Sequence, residues 1–264
     1  MFRKKNAFTL AEILVTVGIL GLLAAITLPS INSSVNESQY VSSLRFISSS
    51  LSDKIQAQMA IEDVYDVRDL KAFADITTNN TAQKTKLLGK LGKFLAFMPT
   101  ADDHTGLILL NGKTPSNGDG MPETWKKEEM RLTNNGALLY LHDIVEKRAN
   151  NGVKIKDAGG AVYRRAAVVY IDINAYKKPN RVGYDIYKFY LGQDGRLYPV
   201  GGLDVSMFDS DGNSETSHSW QGSSSEYKCN KAYGGFGCAG RIEDEGWKIR
   251  YTKEAAEDVN NQPV

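Results

Sequence analysis

The longest apolar run stands at the front of the chain. Residues 8–28 carry a single charge, Glu12. At 1.5 Å per residue a helix of that length spans about 30 Å, the thickness of a bilayer's hydrocarbon core. Beyond Pro29 the pattern changes. Ile31, Val35, Leu44, Ile47, Leu51, Ile55 and Met59 recur at helical spacing against a serine-rich face. This predicts that the helix continues, now amphipathic, over residues 29–62 and packs on a folded domain. Residues 63–83 read as loop with room for a short helix. Residues 84–98 read as a second amphipathic helix. Its basic face could lie on a membrane surface, but packing of its Leu and Phe stripe on the domain is preferred. The Gly, Pro, Asn and Asp content of residues 99–121 predicts irregular loop.

The second half turns to strands. Segments 137–142, 161–174, 184–191 and 196–200 are rich in β-branched and aromatic residues. Turn signals stand at Asn134-Asn-Gly136, Asn150-Asn-Gly152, Pro179-Asn180 and Gln193-Asp-Gly195. The expected fold class is α+β: a long N-terminal helix, transmembrane in its first half and amphipathic in its second, packed on an antiparallel sheet domain. Alternation is imperfect in residues 184–190, so either Ile186 or Tyr187 faces inward. Residues 171–185 read as a long hairpin loop in which Asp and Asn side chains cap turns.

At 264 residues and 42% hydrophobic content, the chain has room for the apolar segment and one globular domain, residues 63–264. The net charge is +1, and residues 1–7 hold Arg3, Lys4 and Lys5, so without them it is 1 − 3 = −2. That balance does not suggest a nucleic-acid surface. The basic residues precede the apolar run and no comparable cluster follows Pro29, which predicts a cytoplasmic N-terminus and an outward-facing domain. An ordinary secretory signal is the competing reading. Against it stand the short leader and Glu12, since a lone carboxylate in an apolar span costs about 2.5–3.5 kcal/mol on insertion scales.

Little else in the chain points to chemistry, and no enzyme is expected. Gly235-Phe-Gly-Cys-Ala-Gly240 has dinucleotide-type glycine spacing but sits in no βαβ context. His104, His142 and His218 are scattered and read as structural or exposed. Cys229 and Cys238 would form a disulfide in an oxidising compartment, with two reduced thiols as the alternative; their spacing does not fit zinc. Asp209-Ser-Asp-Gly-Asn-Ser-Glu215 places oxygen ligands on alternate residues. Asp209, Asp211 and Asn213 are therefore candidate calcium ligands, with a solvated acidic turn as the plainer reading. No other cofactor is expected.

Ala7, Phe8, Thr9, Leu10 and Glu12, followed by an apolar helix, resemble the class III signal of type IV pilins and of the pilin-like proteins of type II secretion and DNA uptake. Ala7 stands where that family usually has Gly. The resemblance implies cleavage between Ala7 and Phe8 by a prepilin peptidase, methylation of the Phe8 amine, and polymerisation through the helix. Gly18, Gly21 and Pro29 lie where pilin helices carry helix-weakening residues, and the helix is expected to bend or melt between Gly21 and Pro29. The implied partners are other pilin subunits, the peptidase, inner-membrane assembly machinery and, before assembly, membrane lipid. The implied location is the bacterial inner membrane in a single pass, then a periplasmic or surface filament. Some pilin-like subunits of type II secretion also bind calcium in a C-terminal loop. Residues 171–185, with Asp-x-Asn leading through Pro-Asn to Gly-x-Asp, also resemble a stretch found in pilin-like proteins. Physically, the amine created at Phe8 of one subunit could meet Glu12 of its neighbour, each removing the other's cost as an unpaired ion. A filament subunit is the leading expectation. A minor tip subunit that recruits a partner or binds DNA, and a membrane-anchored extracytoplasmic enzyme, are the alternatives.

Overall fold

The computed structural model describes residues 9–116, 120–145, 154–156, 162–202, 206–208, 215–217, 219–221 and 226–252, without the side chains of residues 24–36, 154–156, 162, 206–208 and 215–217. The chain divides into two units, Met1–Gln39 and Tyr40–Val264. The first long element is α1 (Leu10–Ile61), whose bounds include Gly18, Gly21 and Pro29. The helix therefore does not melt between Gly21 and Pro29: a helix can carry a proline at the loss of one backbone bond. In the second unit, α1 buries Leu44, Ile47, Leu51, Ile55 and Met59, the part of the predicted stripe that lies there, together with Val41. Ile31 and Val35 lie among the side chains outside the description.

A short 3-10 turn, Val67–Asp69, leads to α2 (Thr81–Leu95). Asn80 starts α2, its side chain accepting from Gln83 N at 2.9 Å, and Ala96 ends it in the left-handed region at φ 56°. The helix thus begins three residues before the predicted 84, because the cap lies outside the apolar pattern. Its Leu87, Leu88, Leu91 and Leu95 are buried in the core. Of the two readings for this basic amphipathic helix, packing on the domain is the one observed.

Among the described residues, six antiparallel strands form the main sheet: β1 (Met130–Leu132), β2 (Leu138–Ile144), β3 (Lys154–Lys156), β4 (Val162–Asp172), β5 (Ile186–Gly192) and β6 (Leu197–Pro199). Their order is β1-β2-β4-β5-β6, with β3 pairing β4 off that path. Two further strands, β7 (Ser206–Phe208) and β8 (Glu215–Ser217), pair with each other. The α+β class and the antiparallel sheet match expectation; β1, β3, β7 and β8 were not anticipated, being only three residues each.

Both faces of the sheet are covered. One carries α1, α2 and the Tyr187 side of β5; the other carries Leu107, Trp125, Met130, Tyr227 and Phe236 on the Ile186 side. The choice between Ile186 and Tyr187 therefore resolves to both, and all seven residues of β5 are buried. Imperfect alternation is what a strand covered on two faces produces.

The C-terminal part closes with α3 (Cys238–Asp244). Cys229 and Cys238 are joined in a buried disulfide, as expected for an oxidising location. Arg241, also buried, donates from Nη1 to the Cys229 carbonyl at 2.7 Å and packs its guanidinium over Trp220 at 4.6 Å. Reducing this bond should lower stability by about 2–3 kcal/mol through loop entropy. Melting with and without reductant measures the loss, and alkylation of unreduced protein from its native compartment should give no label. Two labels per chain would contradict the oxidised location.

Candidate functional site

The first described residues form a closed hydrogen-bonded unit. Glu12 Oε2 accepts from Thr9 N at 2.8 Å and from Thr9 Oγ1 at 2.9 Å, while Thr9 Oγ1 accepts from Glu12 N at 3.2 Å. This is a reciprocal capping box. Thr9 is the cap and Glu12 the third helical residue, so two orphan N–H groups of the first turn are satisfied by one pair of side chains. Negative charge also suits this end of the helix dipole. The Thr-x-x-Glu spacing before an apolar run was the readable signal; reading Glu12 solely as a future ion-pair partner missed it. The box uses one carboxylate oxygen twice, and Oε1 makes no hydrogen bond to a described residue.

Above the box the helix surface is apolar and open. Leu10 is 79% exposed and Leu20 64%, and Ile13, Leu14, Val15, Val17, Ile19, Leu22 and Leu23 are exposed as well. A helix apolar all round requires a surrounding apolar medium or partner helices. A methyl group added at Gly18 or Gly21 would meet nothing within 4 Å, so both glycines leave shallow places where another helix could approach. Among the described residues, no helix is long and apolar enough to cross a membrane. Within the apolar run, the helical residues with described side chains are the 14 from Leu10 to Leu23, about 21 Å of helix. Ala7 and Phe8, the expected cleavage and methylation positions, lie outside the described residues.

The Asp-x-Asn and Gly-x-Asp stretch, residues 171–185, does cap turns, more densely than expected. Asp185 is fully buried and accepts from Arg181 N (2.6 Å), Asn180 N (2.9 Å) and Asn174 Nδ2 (3.2 Å). Asp172, also at 0% exposure, accepts from Asn174 N at 3.1 Å and pairs with His104 Nε2 at 2.8 Å. Asn174 reaches Tyr40 on α1 with its side-chain amide at 3.3 Å. Ala175 and Asn180 hold left-handed backbone at φ 58° and 51°, conformations sustained by the carboxylates beneath. Burial and the neighbouring Asp172 push the Asp185 carboxyl up to about 7, and burial raises Asp172 well above the carboxylate range. Burial lowers His104 to about 4. N–H donors surround both carboxylates, which suits a structural latch rather than a cation site. His104 takes a structural part in that latch.

The remaining candidates divide. His142 lies against Tyr140 and Tyr170, and burial lowers it to about 4. Lys188, unremarked in the sequence, is buried with its ammonium over Phe236 (5.0 Å), Tyr227 (5.5 Å) and Tyr170 (5.8 Å), and pairs with Glu226 at 3.4 Å. The glycines of 235–240 serve close packing. A Cβ on Gly240 would stand 1.8 Å from Gly202 N, and one on Gly237 2.0 Å from Tyr227 O. Asp209, Asp211, Asn213 and His218 lie outside the described residues, and among those described no group of His, Cys, Asp or Glu converges on a metal position.

No curated protein and no solved structure matches this chain. Residues 2–28 match the family model described as the prokaryotic N-terminal methylation motif, so the chain carries the prepilin signal of type IV pilins and pseudopilins.

Proposed function

We propose that this protein is a structural subunit of a type IV pilus-like or type II secretion pseudopilus filament. In this reading a prepilin peptidase cuts between Ala7 and Phe8, the new Phe8 amine is methylated, and residues 8–28 cross the inner membrane before assembly. The filament would then lie in the periplasm or at the cell surface, built with copies of this chain or other pilin subunits. The methylation motif carries the proposal. It is supported by the exposed apolar surface of α1 and by a carboxylate at the helix start whose Oε1 makes no hydrogen bond to a described residue. In assembly that oxygen would receive the Phe8 ammonium of a neighbour, while Oε2 stays on Thr9.

Thr9 then becomes a positioning residue. Thr9→Ala removes both hydroxyl contacts, a loss of about 1 kcal/mol to the first turn, and leaves the Glu12 carboxylate held only by the Thr9 backbone N–H. Cleaved subunit should accumulate in the membrane while filament yield in sheared surface fractions falls roughly fivefold, the equivalent of that energy. Thr9→Ser, which keeps the hydroxyl, should restore yield. Equal yields from Thr9→Ala and wild type would remove Thr9 from the assembly mechanism, and absence of filaments from wild type in cells with a working assembly machine would count against the filament role.

A further inference from the structure

A second surface lies on the domain at the end of α1. Gln58, Glu62, Lys71, Ala72, Lys90, Lys93 and Phe94 line an open groove of ≈ 450 Å³, within the usual range for ligand clefts. Three lysines and one acid line it, so its wall carries a net positive charge, although the Lys71 charge also acts on Glu62. Glu62, the one acid on the wall, is occupied at both oxygens, by Gln58 Nε2 at 2.7 Å and Lys71 N at 2.7 Å. Lys90 is fixed by Asp75 at 2.8 Å and by the Lys71 carbonyl at 3.2 Å. Neither the Lys71 nor the Lys93 ammonium makes a hydrogen bond or close ion pair with a described residue. Between them Ala72 and Phe94 give an apolar floor seated on the main core. Ile61 (77% exposed), on the same helix face as Gln58, extends apolar surface along the end of α1.

We infer that this groove docks a short acidic segment of a partner protein, whose apolar side chain rests on Phe94 and Ala72 while its carboxylates meet Lys71, Lys90 and Lys93. Charge complementarity selects the partner's sign, and the apolar floor selects a peptide over a bare anion. A phosphate site would use backbone N–H groups, and Lys71 N is already taken by Glu62. Nucleic acid is disfavoured by Glu62 and Asp75 beside the lysines and by the chain's net charge of 1 − 3 = −2 without its leader.

The test uses the full mature chain in zwitterionic detergent and a fluorescent, end-blocked peptide of alternating glutamate and leucine, with binding read by anisotropy at low salt. Saturable binding is expected, weakened at least about tenfold by Lys71→Glu with Lys93→Glu, and equally by glutamine in place of the peptide's glutamate. Lys93→Gln alone should weaken it roughly threefold, which keeps the reading testable if the double variant melts early. Absence of binding, unchanged binding by the folded double variant, or displacement of the peptide by a short DNA duplex at equal charge would each overturn the proposal. Leader cleavage and filament yield are read separately, so this inference can fail while the filament reading stands.

Discussion

Asp185→Ala should be the most damaging single substitution in the latch. It leaves Asn180 N, Arg181 N and Asn174 Nδ2 without their acceptor, and each buried unsatisfied donor costs about 1–3 kcal/mol. A total of roughly 3–5 kcal/mol corresponds to a fall in Tm of about 6–20 °C for a domain of this size. The left-handed Ala175 and Asn180 also lose the contacts that sustain them. Asp185→Asn, which keeps one acceptor oxygen but turns an amide toward donors, should fall between.

The pH dependence separates charge from shape. The Asp185 carboxyl is pushed up to about 7 in the fold from an ordinary 3.8, so the folded chain holds a proton that the unfolded chain releases between those values. The stability it contributes is therefore fully present below about 3.8 and lost as pH rises through about 7. The Tm advantage of wild type over Asp185→Asn should be larger at pH 5 than at pH 8. Shifts of His104 and His142 act in the opposite sense, since burial lowers both to about 4; His142 is common to both proteins, whereas His104 also loses the raising effect of the Asp185 charge in Asp185→Asn. A Tm within 2 °C of wild type for Asp185→Ala would show that the latch is dispensable.

The largest functional effect is expected at Glu12. If its carboxylate receives the amine of a neighbouring Phe8, Glu12→Ala strands that ammonium in an apolar setting, a loss of about 3–5 kcal/mol for a broken buried pair. Filaments should be absent, while cleavage, membrane insertion and the folded domain persist, because removing the charge eases insertion. Glu12→Ala also dissolves the capping box, so the informative variant is Glu12→Gln. Glutamine can complete the box with Thr9 but carries no charge. Loss of filaments in Glu12→Gln assigns the effect to charge, and retention of normal yield assigns Glu12 to helix capping alone.

Sequence periodicity was a good guide wherever one face of an element met one core. The buried series from Leu44 to Met59 and the Leu stripe of α2 follow from 3.6-residue spacing alone. It failed where packing is two-sided or very short. β5 shows no clean alternation because Ile186 and Tyr187 enter different cores. β1 and β3 are three residues each and are held by their neighbours β2 and β4 rather than by any signal of their own. The latch was half legible. Asx turns were readable in residues 171–185, but the pairing of Asp172 with His104 joins positions 68 apart and has no local trace. At the N-terminus the resemblance drew attention to Glu12, whereas the Thr9–Glu12 spacing, equally visible, carried a second role for the same carboxylate.

The central claim, that this chain is processed as a prepilin, is tested most directly by the intact mass and N-terminal fragments of protein taken from its native membrane. The account predicts a chain beginning at Phe8, lacking Met1 to Ala7 and carrying one added methyl group on its amine. A chain that retains Met1, or one cut after Ala24 or Ala25 in the manner of an ordinary secretory signal, would contradict it.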